Sequence, residues 1–292
     1  NLEFSGNTIY GNADEITGKL EDGITVTGTN INIENNILHD GWSYDTHPDG
    51  IIVQGDGDRN GNHTANVKVW RNTIYNFSQN IYFDAIHNPL EGDNLIANNL
   101  IYETSNFRYG GAANKVNGIV IDGERLGGGS YPLSIKIYNN TIDSRQVGLY
   151  VLRTADGSVI DIRNNLFVNP RYGYANINST PGVNIDYNYY SGGDTRPLKW
   201  GETAYSLSGF QLAGLGETNG RTGNANVNAG YTENASSDSI DRGVNLSNFF
   251  TIDKAGVARP ATDPWDIGAY EYVGGGSPDT TPPSPPTNVS VQ

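Results

Sequence analysis

The feature that most constrains this chain is an alternation of two short segments along its first 190 residues. One segment is a Gly followed by alternating apolar positions: Gly23-Ile24-Thr25-Val26, Gly50-Ile51-Ile52-Val53, Gly118-Ile119-Val120-Ile121, Gly148-Leu149-Tyr150-Val151 and, more weakly, Gly173-Tyr174-Ala175. Asn80-Ile81-Tyr82-Phe83-Asp84 fits the same frame without its Gly. The other segment is a polar pair followed by apolar residues: Asn35-Asn36-Ile37, Arg71-Asn72-Thr73-Ile74, Asn98-Asn99-Leu100, Asn139-Asn140-Thr141-Ile142 and Asn164-Asn165-Leu166. The second Asn falls at 7, 36, 72, 99, 140, 165 and 188, in steps of 29, 36, 27, 41, 25 and 23. A repeat of two or three short strands with variable insertions specifies a solenoid. A single coil cannot bury its own apolar residues, and stacking coils at ~4.8 Å buries them in a continuous column.

The Asn residues are then structural. Stacked at the same turn of successive coils, their amides form a ladder of hydrogen bonds, and Asn tolerates the left-handed backbone such a turn needs. Sequons such as Asn139-Asn140-Thr141 are by-products of that ladder. The expected fold is all-β: six to seven coils of parallel β-helix over residues 1–190, then an irregular segment over 191–273, then a linker over 274–292.

Composition agrees. Gly and Asn each number 37, there are 18 Tyr, and only 17% of residues are charged, so turn and strand formers dominate. The 32 acidic residues outnumber the 18 basic ones, a net charge of −14. That balance argues against nucleic acid and anionic membrane as partners, both of which need a basic face. No apolar run approaches the ~18 residues that span a bilayer. With no Cys, the chain has neither disulfides nor thiolate metal sites.

These repeats resemble the right-handed parallel β-helix proteins of the pectate-lyase-like superfamily. Near the C-terminus, Ser239-Ile240-Asp241-Arg242-Gly243, Ala258-Arg259-Pro260 and Asp266-Ile267-Gly268-Ala269-Tyr270-Glu271 resemble the closing segment of many secreted bacterial β-helix proteins. That segment runs back along the helix in such proteins, and the same course is expected here. Gly274-Gly275-Gly276 and Pro282-Pro283-Ser284-Pro285-Pro286 read as linkers, and Pro286-Thr287-Asn288-Val289-Ser290-Val291 is similar to the first strand of a fibronectin type III module. The abrupt start at Leu2-Glu3-Phe4 suggests a piece of a longer modular extracellular or cell-surface protein, or one that associates end to end through uncapped coils. The resemblance implies secretion and a polysaccharide substrate, attacked by a lyase or a hydrolase. The rival is a non-catalytic adhesion, matrix or filament module.

Aligning the Gly-led strands sends the residues one and three after Gly inward and those two and four after it to solvent. Asp84 and Asp122 then lie on adjacent coils of one exposed sheet, with Asp49, Gln54, Tyr82, His87, Glu124, Arg125, Tyr150 and Arg153 around them. Two like charges so close call for a bound cation such as Ca²⁺, held by Asp84 and Asp122, or for one carboxyl that keeps its proton. The first suits β-elimination of a uronic-acid polymer, and the second suits glycoside hydrolysis. Simple turn capping is the structural alternative. Arg125 is expected as the positive charge beside the substrate, and Tyr82 and Tyr150 as flat faces for sugar rings. Trp42-Ser43-Tyr44-Asp45-Thr46-His47 leads into the coil carrying Gln54. Its Tyr44 and His47 are candidate proton carriers, loosely similar to the Tyr and His of alginate-modifying β-helix enzymes. Asp56-Gly57-Asp58 looks a little like a Ca²⁺ loop, but a Gly/Asp/Asn hairpin accounts for it as well.

Overall fold

A computed structural model of the chain describes residues 1–11, 22–41, 48–55, 63–105, 116–143, 146–170, 172–178, 181–192 and 198–274. Tyr44, His47, the Asp56–Asp58 loop and most of the linker lie outside those residues.

The chain winds as a parallel β-helix of three sheets, each of eight strands. The Gly-led sheet runs from Asp22–Val26 through Asp49–Gln54, Gln79–Asp84, Asn117–Asp122, Val147–Arg153 and Gly173–Ile177 to Leu198–Trp200. The second sheet holds the three-residue strands that follow the Asn pairs, from Thr8–Tyr10 to Tyr189–Ser191. The third holds the strands that precede those pairs, from Leu2–Ser5 to Val183–Asp186. Among the described residues pairing from coil to coil is parallel, and Thr203–Tyr205 adds to Leu198–Trp200 at the end of the Gly-led sheet as an antiparallel strand. Parallel pairing also continues past residue 190, where Leu198–Trp200 joins Gly173–Ile177 and Arg221–Gly223 joins Tyr189–Ser191. The helix proper therefore extends into the segment expected to be irregular. Among the described residues there is one helix, Leu207–Leu212, too short to cross a membrane.

Register explains the core. Ile24, Ile51, Ile81, Ile119, Leu149 and Ala175 stack in one column. Phe4, Ile33, Val69, Ile96, Ile137, Ile162 and Ile185 stack in another. Nearly all are fully buried, and each such side chain contributes about 1.5–3 kcal/mol. The leading Gly has a steric cause. A Cβ on Gly50 would sit 2.6 Å from the Asn80 carbonyl of the next coil and 2.6 Å from Ile74 of the facing sheet.

The Asn pairs divide two tasks. The first member takes the left-handed turn: Asn35, Arg71, Asn98, Asn139, Asn164 and Tyr187 all have φ between 50° and 60°. The second builds the ladder. Asn7, Asn36, Asn72, Asn99, Asn140 and Asn165 each donate Nδ2 to the Oδ1 of the next, at 2.9–3.1 Å. The backbone N–H of each donates to the same oxygen. At the far end Asn188 donates both groups to the buried carboxylate of Glu217, at 2.8 and 3.3 Å. Glu217 also accepts from Tyr190, and burial pushes its carboxyl up to about 7 despite those donors.

From residue 224 the chain runs back along the turns. Asn164 donates to the Val244 carbonyl, Asn139 to those of Asp266 and Gly268, and Asn98 to that of Ile252. The turn-forming Asn side chains thus dock the tail. This occupies Asn139 completely, as expected of a sequon that serves structure. Arg259, with no exposed side-chain surface, locks the tail through Glu271 at 2.7 Å, Asn98 at 2.9 Å and the Gly268 carbonyl at 2.9 Å.

Candidate functional site

The Gly-led sheet places Asp84 directly opposite Asp122, one coil apart, so their Cα atoms are separated by about 4.8 Å. Gln54 stands opposite Asp84 on the preceding coil. Each Asp closes a local turn: the amide of Ile86 donates to Asp84 at 3.0 Å, and that of Glu124 donates to Asp122 at 3.0 Å.

The two carboxylates differ in partners. Arg153 Nε donates to Asp122 Oδ1 at 2.7 Å, and its Nη2 reaches Asp122 Oδ2 and, at 2.7 Å, Glu124. This bidentate pair raises the guanidinium pKa further, chiefly through the Asp122 hydrogen bond. Among the described residues Asp84 has no such cation. Burial pushes it up to about 6, with the charges of Asp122 and Glu124 adding to the rise, while the Ile86 amide and His87 oppose it. Tyr82 lies within 3.5 Å of Asp122. Burial, then Asp84, Asp122 and Asp49, raise its phenol.

Two expectations need correcting. The alternation holds, but the outer face is not open: Asp84 is 7% exposed, Asp122 1%, Ile52 5% and Val120 1%. Val120 sits in register between Tyr82 and Tyr150, and the flanking rings take the space around the smaller side chain. The second correction concerns Arg125. It turns away into a short hairpin closed by the Glu124–Ser130 bridge and lies over the Tyr131 ring at 5.5 Å. Arg153 supplies the charge beside Asp122 instead. A register shift between Ile121 and Asp122 brings Arg153, rather than Leu152, opposite Asp122. The repeat does not mark this shift, which shows only as a strand of seven residues, Val147–Arg153, beside one of six, Asn117–Asp122.

Of the other candidates, Tyr150 accepts from Asn178 at 2.9 Å. The His87 carbonyl accepts from Tyr131 at 3.1 Å. Asp49 is buried at the start of its strand, opposite Asp22 and Gln79. The reachable rim consists of Arg153 and Glu124, with side chains 41% and 39% exposed. Among the described residues no group of three or more His, Asp or Glu is assembled as a metal site. Ca²⁺ takes six to eight oxygens, and with Arg153 on both oxygens of Asp122 the Asp84–Asp122 pair does not fit that shell. No protein-family model, curated protein or solved structure matches this chain.

Proposed function

We propose that this chain is a carbohydrate-active β-helix protein of the pectate-lyase-like kind, secreted, that cleaves an extracellular polysaccharide by acid–base chemistry on its Gly-led sheet. The observation that carries the reading is the asymmetry of Asp84 and Asp122. Two neighbouring carboxyls in contrasting environments are the arrangement by which hydrolases separate a general acid from a carboxylate. Asp84, held up to about 6, is the proton donor to the leaving oxygen. Asp122, fixed by Arg153, is the carboxylate partner, and Glu124 and Arg153 form the rim that meets the sugar. Hydrolysis is favoured over elimination because the cation shell that elimination would use does not fit. Fold analogy supports only the substrate class.

The test is a panel of pectate, alginate, glucuronan and neutral glucans, assayed for new reducing ends and for unsaturated product. Hydrolysis predicts reducing ends without unsaturation, and a rate that falls as pH rises through about 6, where Asp84 loses its proton. Asp84→Asn is expected to lower the rate by roughly 10²–10⁴-fold. An unchanged rate in that variant refutes the assignment. The burial of Asp122 favours a second reading, a non-catalytic module in which the Asp122–Arg153–Glu124 cluster only staples adjacent coils. No turnover across the panel, with the polysaccharides still bound in co-sedimentation, supports that reading.

A further inference from the structure

We propose that a cavity at the C-terminal end of the solenoid binds a single anionic sugar residue. It is walled by the short helix Leu207–Leu212, the strand Arg221–Gly223 and the turn around Asp238–Arg242, and its volume is about 410 Å³. Ligand sites run from roughly 300 to 1,000 Å³, so this one lies at the small end. The proposal does not rest on the Asp84–Asp122 reading, because that pair lies on a different sheet.

The cations point to the ligand's charge. Among the described residues Arg125 lies over the Tyr131 ring, and Arg71, Arg153, Arg163 and Arg259 each have a carboxylate partner. Arg221 and Arg242, among the same residues, have none, although the chain carries a net charge of −14. Both line this one cavity. Two guanidinium groups that form no ion pair, on residues lining one small space, recognise an oxyanion through paired N–H donors.

The remaining lining points to a sugar. Asp238 shares the cavity yet forms no ion pair with either arginine, and it is held by the Tyr189 hydroxyl at 3.4 Å. Its carboxylate is an acceptor for ligand hydroxyls, and Ser208, an exposed residue, adds a hydroxyl. A pure anion site would not need the carboxylate. A neutral sugar site would need no pair of arginines.

The experiment titrates the whole chain with glucuronate, glucose 6-sulfate, glucose and inorganic sulfate, followed by calorimetry and by chemical shift. Saturable binding of at least one anionic sugar is expected, and which one binds tells carboxylate from sulfate recognition. Glucose and inorganic sulfate are expected to bind at least about tenfold more weakly, because each satisfies only part of the lining. The double substitution Arg221→Ala/Arg242→Ala is expected to weaken anionic-sugar binding more than about tenfold. It should leave the melting temperature unchanged, since both side chains are exposed. Asp238→Asn, which keeps the fold and the arginines, is expected to weaken the sugars and spare sulfate. Absence of saturable binding by either anionic sugar overturns the proposal. So does undiminished binding in the arginine variant, or sulfate binding as tightly as glucose 6-sulfate.

Discussion

Replacing Glu217 with Gln tests the end of the amide ladder quantitatively. In the native protein this carboxyl is fully buried and accepts from Asn188 and Tyr190, with a pKa pushed from 4.5 up to about 7, chiefly by burial. Between those two values the folded state holds a proton that the unfolded state has released. Stability therefore falls as pH rises through this window and levels off above it. At about 1.4 kcal/mol per pH unit, the gap between 4.5 and about 7 amounts to about 3 kcal/mol. Glu217→Gln keeps an oxygen to accept from Asn188 but does not titrate. Urea unfolding at half-unit steps from pH 4.5 to 8.5 gives the stability of both proteins, compared at equal m-values. Other perturbed groups, such as Glu271 and Lys254, both moved to about 7, are common to the two proteins and cancel in the difference. Native minus variant stability is expected to drop by about 3 kcal/mol across the window and then stay flat. A difference constant to within about 1 kcal/mol would refute the buried, titrating end group.

Three further substitutions probe the rest of the fold. Asn99→Ala removes the acceptor of Asn72 and the donor to the Val69 carbonyl, and is expected to cost about 2–4 kcal/mol in chemical unfolding. Gly50→Ala forces a Cβ against the Asn80 carbonyl and Ile74, and is expected to cost about 1–3 kcal/mol by the same measurement. Arg259→Ala leaves Glu271 buried without its cation, and is expected to cost about 3–5 kcal/mol. It should also expose the 244–271 stretch to limited proteolysis before the coils are cut.

The coil architecture was legible because it is written in short-range periodicity. The Gly frame marks where a carbonyl of the next coil passes, and the Asn frame marks a turn with a fixed polar position. Register one coil apart then puts Asp84 opposite Asp122 from residue spacing alone. What the periodicity does not carry is anything that depends on a local departure from it. The register shift that swaps Leu152 for Arg153 adds one residue to one strand. The hairpin that withdraws Arg125 depends on the Glu124–Ser130 bridge, which the repeat pattern does not encode. Glu217 was not singled out because it lies in a stretch with no repeat, although it shares the left-handed backbone of the Asn turns, with φ 56°. Apart from Tyr189, the two-arginine cavity draws its walls from residues 207 to 242, again outside the repeat.

The ladder also bears on how many coils such a molecule has. Every rung from Asn36 to Asn165 accepts from one neighbour and donates to the other, so as far as the ladder is concerned any interior coil is interchangeable with any other. Removing the 41-residue step between Asn99 and Asn140 would join two rungs with the same donors and acceptor. Coil number can therefore drift by whole-unit duplication and loss without disturbing the polar spine. The last rung is exempt. A carboxylate accepts but has no amide to pass forward, so Glu217 works as a stop signal for elongation. An Asn in its place would demand a further acceptor, and with it a further coil.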